Sequence, residues 1–172
     1  MLKLLGILCI LSGSTGLGIR FAKELDLRLQ ELSELQKLML VLKGEIRCMH
    51  RPLPEAFFHL SARASSPFCD FFRHTSEELQ KRHGHTAEEI WKKNMGQDLK
   101  SLHISMREWS EFEKLGSMLG YLDVEMQVDT LDYYLEQLKL SAAGALETAK
   151  SRRRLYQYMG VLGGAALVIL IF

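Results

Sequence analysis

Apolar residues recur at helical spacing over two long stretches of this chain. In the first, Leu25, Leu32, Leu35, Met39, Leu42, Ile46 and Met49 follow one another by sevens, threes and fours with charged residues between them. In the second, beginning after Asp123, the positions are Val124, Val128, Leu131, Leu135, Leu138, Ala142 and Ala145. Each stripe needs another helix to cover it, and the two match. They predict an antiparallel pair of long helices as the spine of an all-α bundle.

Between the two stripes the chain is punctuated for short helices. Pro52 and Pro54 end the first long helix and open a second helix, with Ala56, Phe57 and Leu60 on its apolar side. Ser66-Pro67 opens a third, from Phe68 to about Arg82, which His83-Gly84-His85 terminates. Thr86 with Glu89, and Ser105 with Glu108, are capping-box pairs for a fourth and a fifth. Ile90, Trp91 and Met95 are the expected core residues of the fourth. Met106, Trp109, Phe112, Leu115 and Leu119 are those of the fifth, which ends near Gly120. Asp123 caps the last long helix. No stretch alternates with the period of two that a strand requires.

The ends of the chain are different. Leu155 to Phe172 carries no charge, and at about 1.5 Å per residue it reaches roughly 27 Å, near the thickness of a bilayer's hydrocarbon layer. Met1 to Arg20 holds a shorter apolar run between Lys3 and Arg20. The expected domains are therefore a span over 1–20, a helical body over 21–154 and a span over 155–172, each long helix running on into the neighbouring span. Arg20, Lys23 and Arg28 follow the first span and Lys150, Arg152, Arg153 and Arg154 precede the second, which places the body in the cytoplasm and both termini outside it. The arginine triplet is also a candidate contact for anionic lipid. Gly160 and Gly164, four apart, would let another helix approach the last span closely. An alternative is a cleaved leader, with Ser12 to Gly18 as the cleavage region, and a C-terminally anchored helical binding protein outside the cytoplasm.

Charge changes the picture by exclusion. Of the 22 Lys and Arg residues all but Lys3 lie between Arg20 and Arg154, together with all 21 Asp and Glu, so the body is balanced and lacks the basic face of a nucleic-acid binder. Three cysteines give no disulfide framework. Six histidines fall between His50 and His103 without a zinc-ligand spacing, and they read as loop and helix-end residues. No nucleophile elbow, phosphate-binding loop or Cys/His pair is present, so neither catalysis nor a metal or other cofactor is expected. Asp129, Asp132 and Glu136 line one face of the last helix as a solvated surface.

Two short motifs remain. Pro52, Leu53, Pro54 and Glu55 form a turn leading to Phe57; Leu115, Gly116, Leu119, Gly120, Asp123 and Gln127 form a second motif. Gly116 and Gly120 share a helical face open to close backbone approach, and Gly120 suits the left-handed conformation that stops a helix. Packing and a surface for a partner are both open for this segment. With the ending from Lys150 through Arg154 to Gly164, these motifs resemble the stage III sporulation protein AB family of endospore-forming bacteria, and the resemblance covers essentially the whole chain. It implies a component of the channel between mother cell and forespore, in the mother-cell (outer forespore) membrane. It also implies a cytoplasmic domain similar to the platform proteins of type II secretion and type IV pilus machines. The implied partners are a cytoplasmic secretion-type ATPase, stage III sporulation protein AA, other membrane proteins of the same channel, and the lipid bilayer, with homo-oligomerisation left open and no nucleic acid.

Overall fold

A computed structural model describes the backbone of residues 2–81 and 84–171 and the side chains of residues 23–81 and 84–151. The described residues form six helices and no strand: α1 (Leu2–Arg47), α2 (Leu53–Ser61), α3 (Phe68–Lys81), α4 (Ala87–Asp98), α5 (Met106–Leu119) and α6 (Val124–Ile171). Contacts divide the chain into one unit of residues 1–29 with 143–172 and a second of residues 30–142. The expected spans, Arg152, Arg153 and Arg154, and Gly160 and Gly164 lie outside the residues whose side chains are described. Among the described residues, no helix is long and apolar enough to cross a membrane.

The second unit holds the core. The α1 stripe is buried at Leu32, Leu35, Met39, Leu42 and Ile46, and that of α6 at Val128, Leu131, Leu135 and Leu138. The stripes are corrected at their ends. Met49 is exposed because α1 stops at Arg47, short of the prolines, and the chain leaves through His50 at a φ of 50°. Val124 is exposed because it opens the first turn of α6, before the helix has met the core. Leu38 and Tyr134 join the buried set, widening each stripe beyond a strict alternation of three and four. On the first unit's side, Ala145 is buried and Leu25 half-buried.

The four short helices begin where the sequence says they should. Pro52 occupies the cap position of α2, and Ala56, Phe57 and Leu60 are buried. Both capping boxes form: Glu89 N–H donates to Thr86 Oγ1 at 3.2 Å, and Glu108 N–H donates to Ser105 Oγ at 3.3 Å. Each glutamate reaches back to its cap residue's N–H, at 3.1 and 2.6 Å. In α5 two expected core residues are displaced: Met106 is exposed and Trp109 half-buried. The buried face of α5 runs instead through Glu108, Phe112, Leu115 and Leu119, spaced by fours and threes, and Met106 and Trp109 fall to its sides.

An aromatic cluster fills the centre of the short helices. Trp91 lies 4.8 Å from Phe71, 4.9 Å from Phe112 and 5.6 Å from Phe57 between ring centroids, and its Nε1–H donates to the carbonyl of Phe112 at 3.1 Å. These edge-on and tilted contacts join α2, α3, α4 and α5 around one indole.

Candidate interaction surfaces

The two motifs lie at element junctions. In the first, Pro52 fixes the entry to α2 and its carbonyl accepts from Ala56 N–H at 3.0 Å. The Pro54 carbonyl accepts from Ser76 Oγ at 2.6 Å, tying the start of α2 to α3. Pro52 and Glu55 are exposed, and Leu53 and Pro54 half-buried.

In the second motif Leu115, Gly116 and Leu119 are buried. A Cβ at Gly116 would stand 2.1 Å from Cγ of Trp91, and one at Gly120 would stand 2.7 Å from Cβ of Ala87. The glycine face of α5 is therefore occupied by α4 of the same chain. Gly120 has a φ of −71°, not the left-handed value expected of it. The chain turns instead through Tyr121 N–H to the Met118 carbonyl (3.2 Å), and glycine is needed at 120 for the approach of Ala87. Asp123 caps α6 by accepting from Met126 N–H at 2.9 Å, and Gln127 Nε2 donates to the Leu119 carbonyl at 2.8 Å, which sets α6 against the end of α5. The outward side of the same corner carries exposed Met118, Tyr121 and Val124 beside exposed Asp123 and Glu125.

Polar pairs hold the remaining junctions. Glu31 of α1 accepts from the His103 backbone N–H at 2.6 Å and lies 2.8 Å from its Nδ1. His74 lies 3.0 Å from Asp98, and His85 3.3 Å from Glu89. Glu45, almost fully buried at the end of α1, pairs with Arg51 at 2.8 Å and more distantly with Arg63. Lys92 bridges Glu88 of its own helix (2.8 Å) and Glu113 of α5 (3.3 Å). Hydrogen bonding to Lys92, then to Ser117, holds the Glu88 carboxyl below its usual range, and the same bridge raises Lys92. Burial, then the Glu111 and Glu108 carboxylates, pushes the Tyr134 phenol well above its ordinary value. The sequence offered no route to the Glu31–His103 pair, whose partners become adjacent only through the fold. Leu38 and Tyr134 were findable in principle, since each neighbours a stripe position.

Among the described residues no group of three or more His, Cys, Asp and Glu side chains could hold a metal ion. A shallow depression between α3 and α4 is lined by Glu78, Lys81, His85, Ile90 and Lys93, and Lys93 is already paired with Glu78 at 2.8 Å. Cys48 and Cys69 are free thiols.

Short helices clamped on one aromatic centre and framed by two long ones make this an all-α scaffold whose polar side chains are spent largely on joining its own elements. The chain belongs to the stage III sporulation protein AB family, whose model matches residues 3–172. Stage III sporulation protein AB of Bacillus subtilis (strain 168) is 26% identical over 171 residues, covering 99% of each chain. A solved structure of stage III sporulation protein AB superposes with a TM-score of 0.65 at 22% identity, over 72% of this chain and 97% of that one, and shows the same fold.

Proposed function

We propose that this protein is a membrane platform of the sporulating cell. Residues 1–20 and 155–172 cross one bilayer, and the helical body over 21–154 lies in the cytoplasm. There it docks a secretion-type ATPase, the stage III sporulation protein AA of the family resemblance, and couples it to other membrane proteins of the channel without catalysing a reaction itself. The observation that carries the reading is continuity: α1 and α6 each run as one helix from the body into a terminal stretch that is almost free of charge. A helix with that pattern carries the chain from lipid into the cytoplasm without a break. The arginines at 152–154 serve as the inner flank and a contact for anionic headgroups. Docking falls to the outward side of the second motif, where Met118, Tyr121 and Val124 stand exposed on a corner stiffened from within by Gly116, Gly120 and Gln127.

Accessibility labelling of single cysteines placed before Leu4, within 30–142 and after Phe172 tests the topology. The expected result is labelling of the two ends from outside the cell and of the middle only after permeabilisation. A tail in the same compartment as the body, or a mature protein lacking its first twenty residues, rejects it. Co-purification of the ATPase with the full chain, reduced at least about tenfold by Tyr121→Asp with Val124→Asp, tests the docking corner. ATP hydrolysis by the purified chain alone would contradict the platform role.

A further inference from the structure

The α1–α6 pair buries one face against the short helices and leaves the other uncovered, and that outward face has a pattern of its own. On α1 the exposed positions Ser33, Lys37, Leu40 and Arg47, with half-buried Gly44 between the last two, are spaced by fours and threes. Nothing stands within 4 Å of where a Cβ on Gly44 would be. On α6 the exposed positions Met126, Asp129, Tyr133, Glu136 and Leu140 are spaced by threes and fours. Leu40 is 55% exposed, Tyr133 70% and Leu140 60%, too much apolar surface at regular spacing for a face that meets only water.

The two stripes lie on the same side of the domain. Lys43 of α1 reaches Asp132 of α6 at 2.5 Å and so marks the line where the helices meet. At about 100° per residue, Leu40, Gly44 and Arg47 lie to one side of Lys43 and the buried Met39, Leu42 and Ile46 to the other. Asp129, Tyr133 and Glu136 are disposed about Asp132 in the same way, opposite Leu131 and Leu135. Because the helices are antiparallel, equal turns from the shared line bring both stripes to one outward face. Its charges are separated by helix: Lys37 and Arg47 on α1, Asp129 and Glu136 on α6. Among the described residues Lys37, Arg47 and Asp129 have no ion-pair partner, and Glu136 has only Lys139 three residues along, at 3.2 Å.

We propose that this face binds the same face of a second copy, α1 of each chain lying antiparallel on α6 of the other in a four-helix interface. A two-fold axis parallel to the helices produces the arrangement, since it keeps the direction of α1 and carries it across onto the partner's α6. The Lys43–Asp132 level then sets the register. Arg47 falls within about 2 Å along the axis of Asp129 on the other copy, Lys37 within about 3 Å of Glu136, and Leu40 within about 3 Å of Tyr133. Each pairing occurs twice, so the interface has an apolar centre of Leu40 and Tyr133 flanked by complementary charges. A foreign helix with basic flanks would satisfy α6 and leave Lys37 and Arg47 unmet; a second copy satisfies both helices at once. The proposal deepens the platform reading by naming one partner of the same body, and depends on it only in that an axis along α1 and α6 leaves both copies anchored in one membrane.

The test uses the full chain in its native membrane with Cys9, Cys48 and Cys69 changed to serine. One tagged copy carries Leu40→Cys and a differently tagged copy carries Tyr133→Cys, and a short bismaleimide is added. The expected product carries both tags. Phe58→Cys on exposed α2 in place of Leu40→Cys gives none. Lys37→Glu with Arg47→Glu lowers the yield about tenfold or more, and adding Asp129→Lys with Glu136→Lys restores it, which separates the effect from misfolding. A yield no higher than the Phe58 control, a cross-link to a different protein instead, or a failure of the second reversal to restore the product overturns the proposal. None of these outcomes depends on the ATPase, so co-purification and cross-linking can fail separately.

Discussion

Adding one methyl group at Gly116 strikes the centre of the short-helix core. The new Cβ would sit 2.1, 2.2 and 2.3 Å from Cγ, Cδ1 and Cδ2 of Trp91, distances no side-chain contact tolerates. The indole cannot withdraw, because Trp91 is 2% exposed and ringed by Phe57, Phe71, Phe72 and Phe112. Overpacking of this kind costs about 1–3 kcal/mol. If the ring tilts, its Nε1–H leaves the Phe112 carbonyl, and a buried donor left unpaired adds about 1–3 kcal/mol. Alanine's better helix propensity returns about 1 kcal/mol. Gly116→Ala should therefore destabilise the protein by about 1–5 kcal/mol, a large part of the ~5–15 kcal/mol typical of a domain. Gly96 in α4 has nothing within 4 Å of its Cβ position, so Gly96→Ala should stabilise by up to about 1 kcal/mol. Urea unfolding of the full chain in mild detergent, followed by helical circular dichroism, measures both. With a slope of about 1–3 kcal/mol per molar, the Gly116 midpoint falls by roughly 1–2 M and the Gly96 midpoint rises. Trp91→Phe in the Gly116→Ala background should recover part of the loss, with a coupling of about 0.5–3 kcal/mol. If the two alanines shift the midpoint in the same direction and by like amounts, the close approach of α5 to α4 is not the reason for glycine at 116.

Three further outcomes follow from the junctions. Ser105→Ala and Thr86→Ala should each cost about 1 kcal/mol in the same unfolding assay, while Glu108→Ala, which removes a buried capping carboxylate, should cost more than Glu89→Ala, whose side chain is mostly exposed. Glu31→Ala should cost about 1–3 kcal/mol and speed hydrogen exchange at the His103 amide, since one carboxylate holds both the backbone and the ring of that residue; unchanged exchange there would refute the pairing. The Glu88 carboxyl is held below its usual range in the folded protein, so its contribution to stability is present above the ordinary carboxylate pKa and is lost as pH falls through the lowered folded value. Lys92, raised by the same bridge, contributes below its ordinary pKa and loses that as pH rises through the folded value. Lys92→Met should flatten the stability profile at both the acid and the alkaline limb, read from unfolding midpoints across pH.

Gly116 shows how far a sequence speaks for itself. That glycines four apart would admit a close neighbour was legible, because the absence of a side chain is a local property; that the neighbour is Trp91 of the same chain was not. Met106 and Met49 show the converse. Both fit an apolar period, yet one lies in the first turn of α5 beside the buried face that runs through Glu108 and Phe112, and the other lies past the helix end, since a period carries no information about where the helix begins, ends or meets the core. The Glu31–His103 clamp joins residues 72 positions apart and has no sequence signature at all.

What the chain determined alone is local: six helices, their caps at Thr86, Ser105 and Asp123, the prolines that open α2, and the apolar stripes of α1 and α6. Each depends on the chemistry of residues within a turn or two of one another, which the order of the sequence contains. What only the tertiary structure decided is adjacency. It gives the glycine face of α5 to α4, turns Met118, Tyr121 and Val124 outward at one corner, and sets the basic stripe of α1 beside the acidic stripe of α6. Such pairings follow from how helices settle against a shared core, where side-chain volume selects one arrangement among many that the same periodicity would allow.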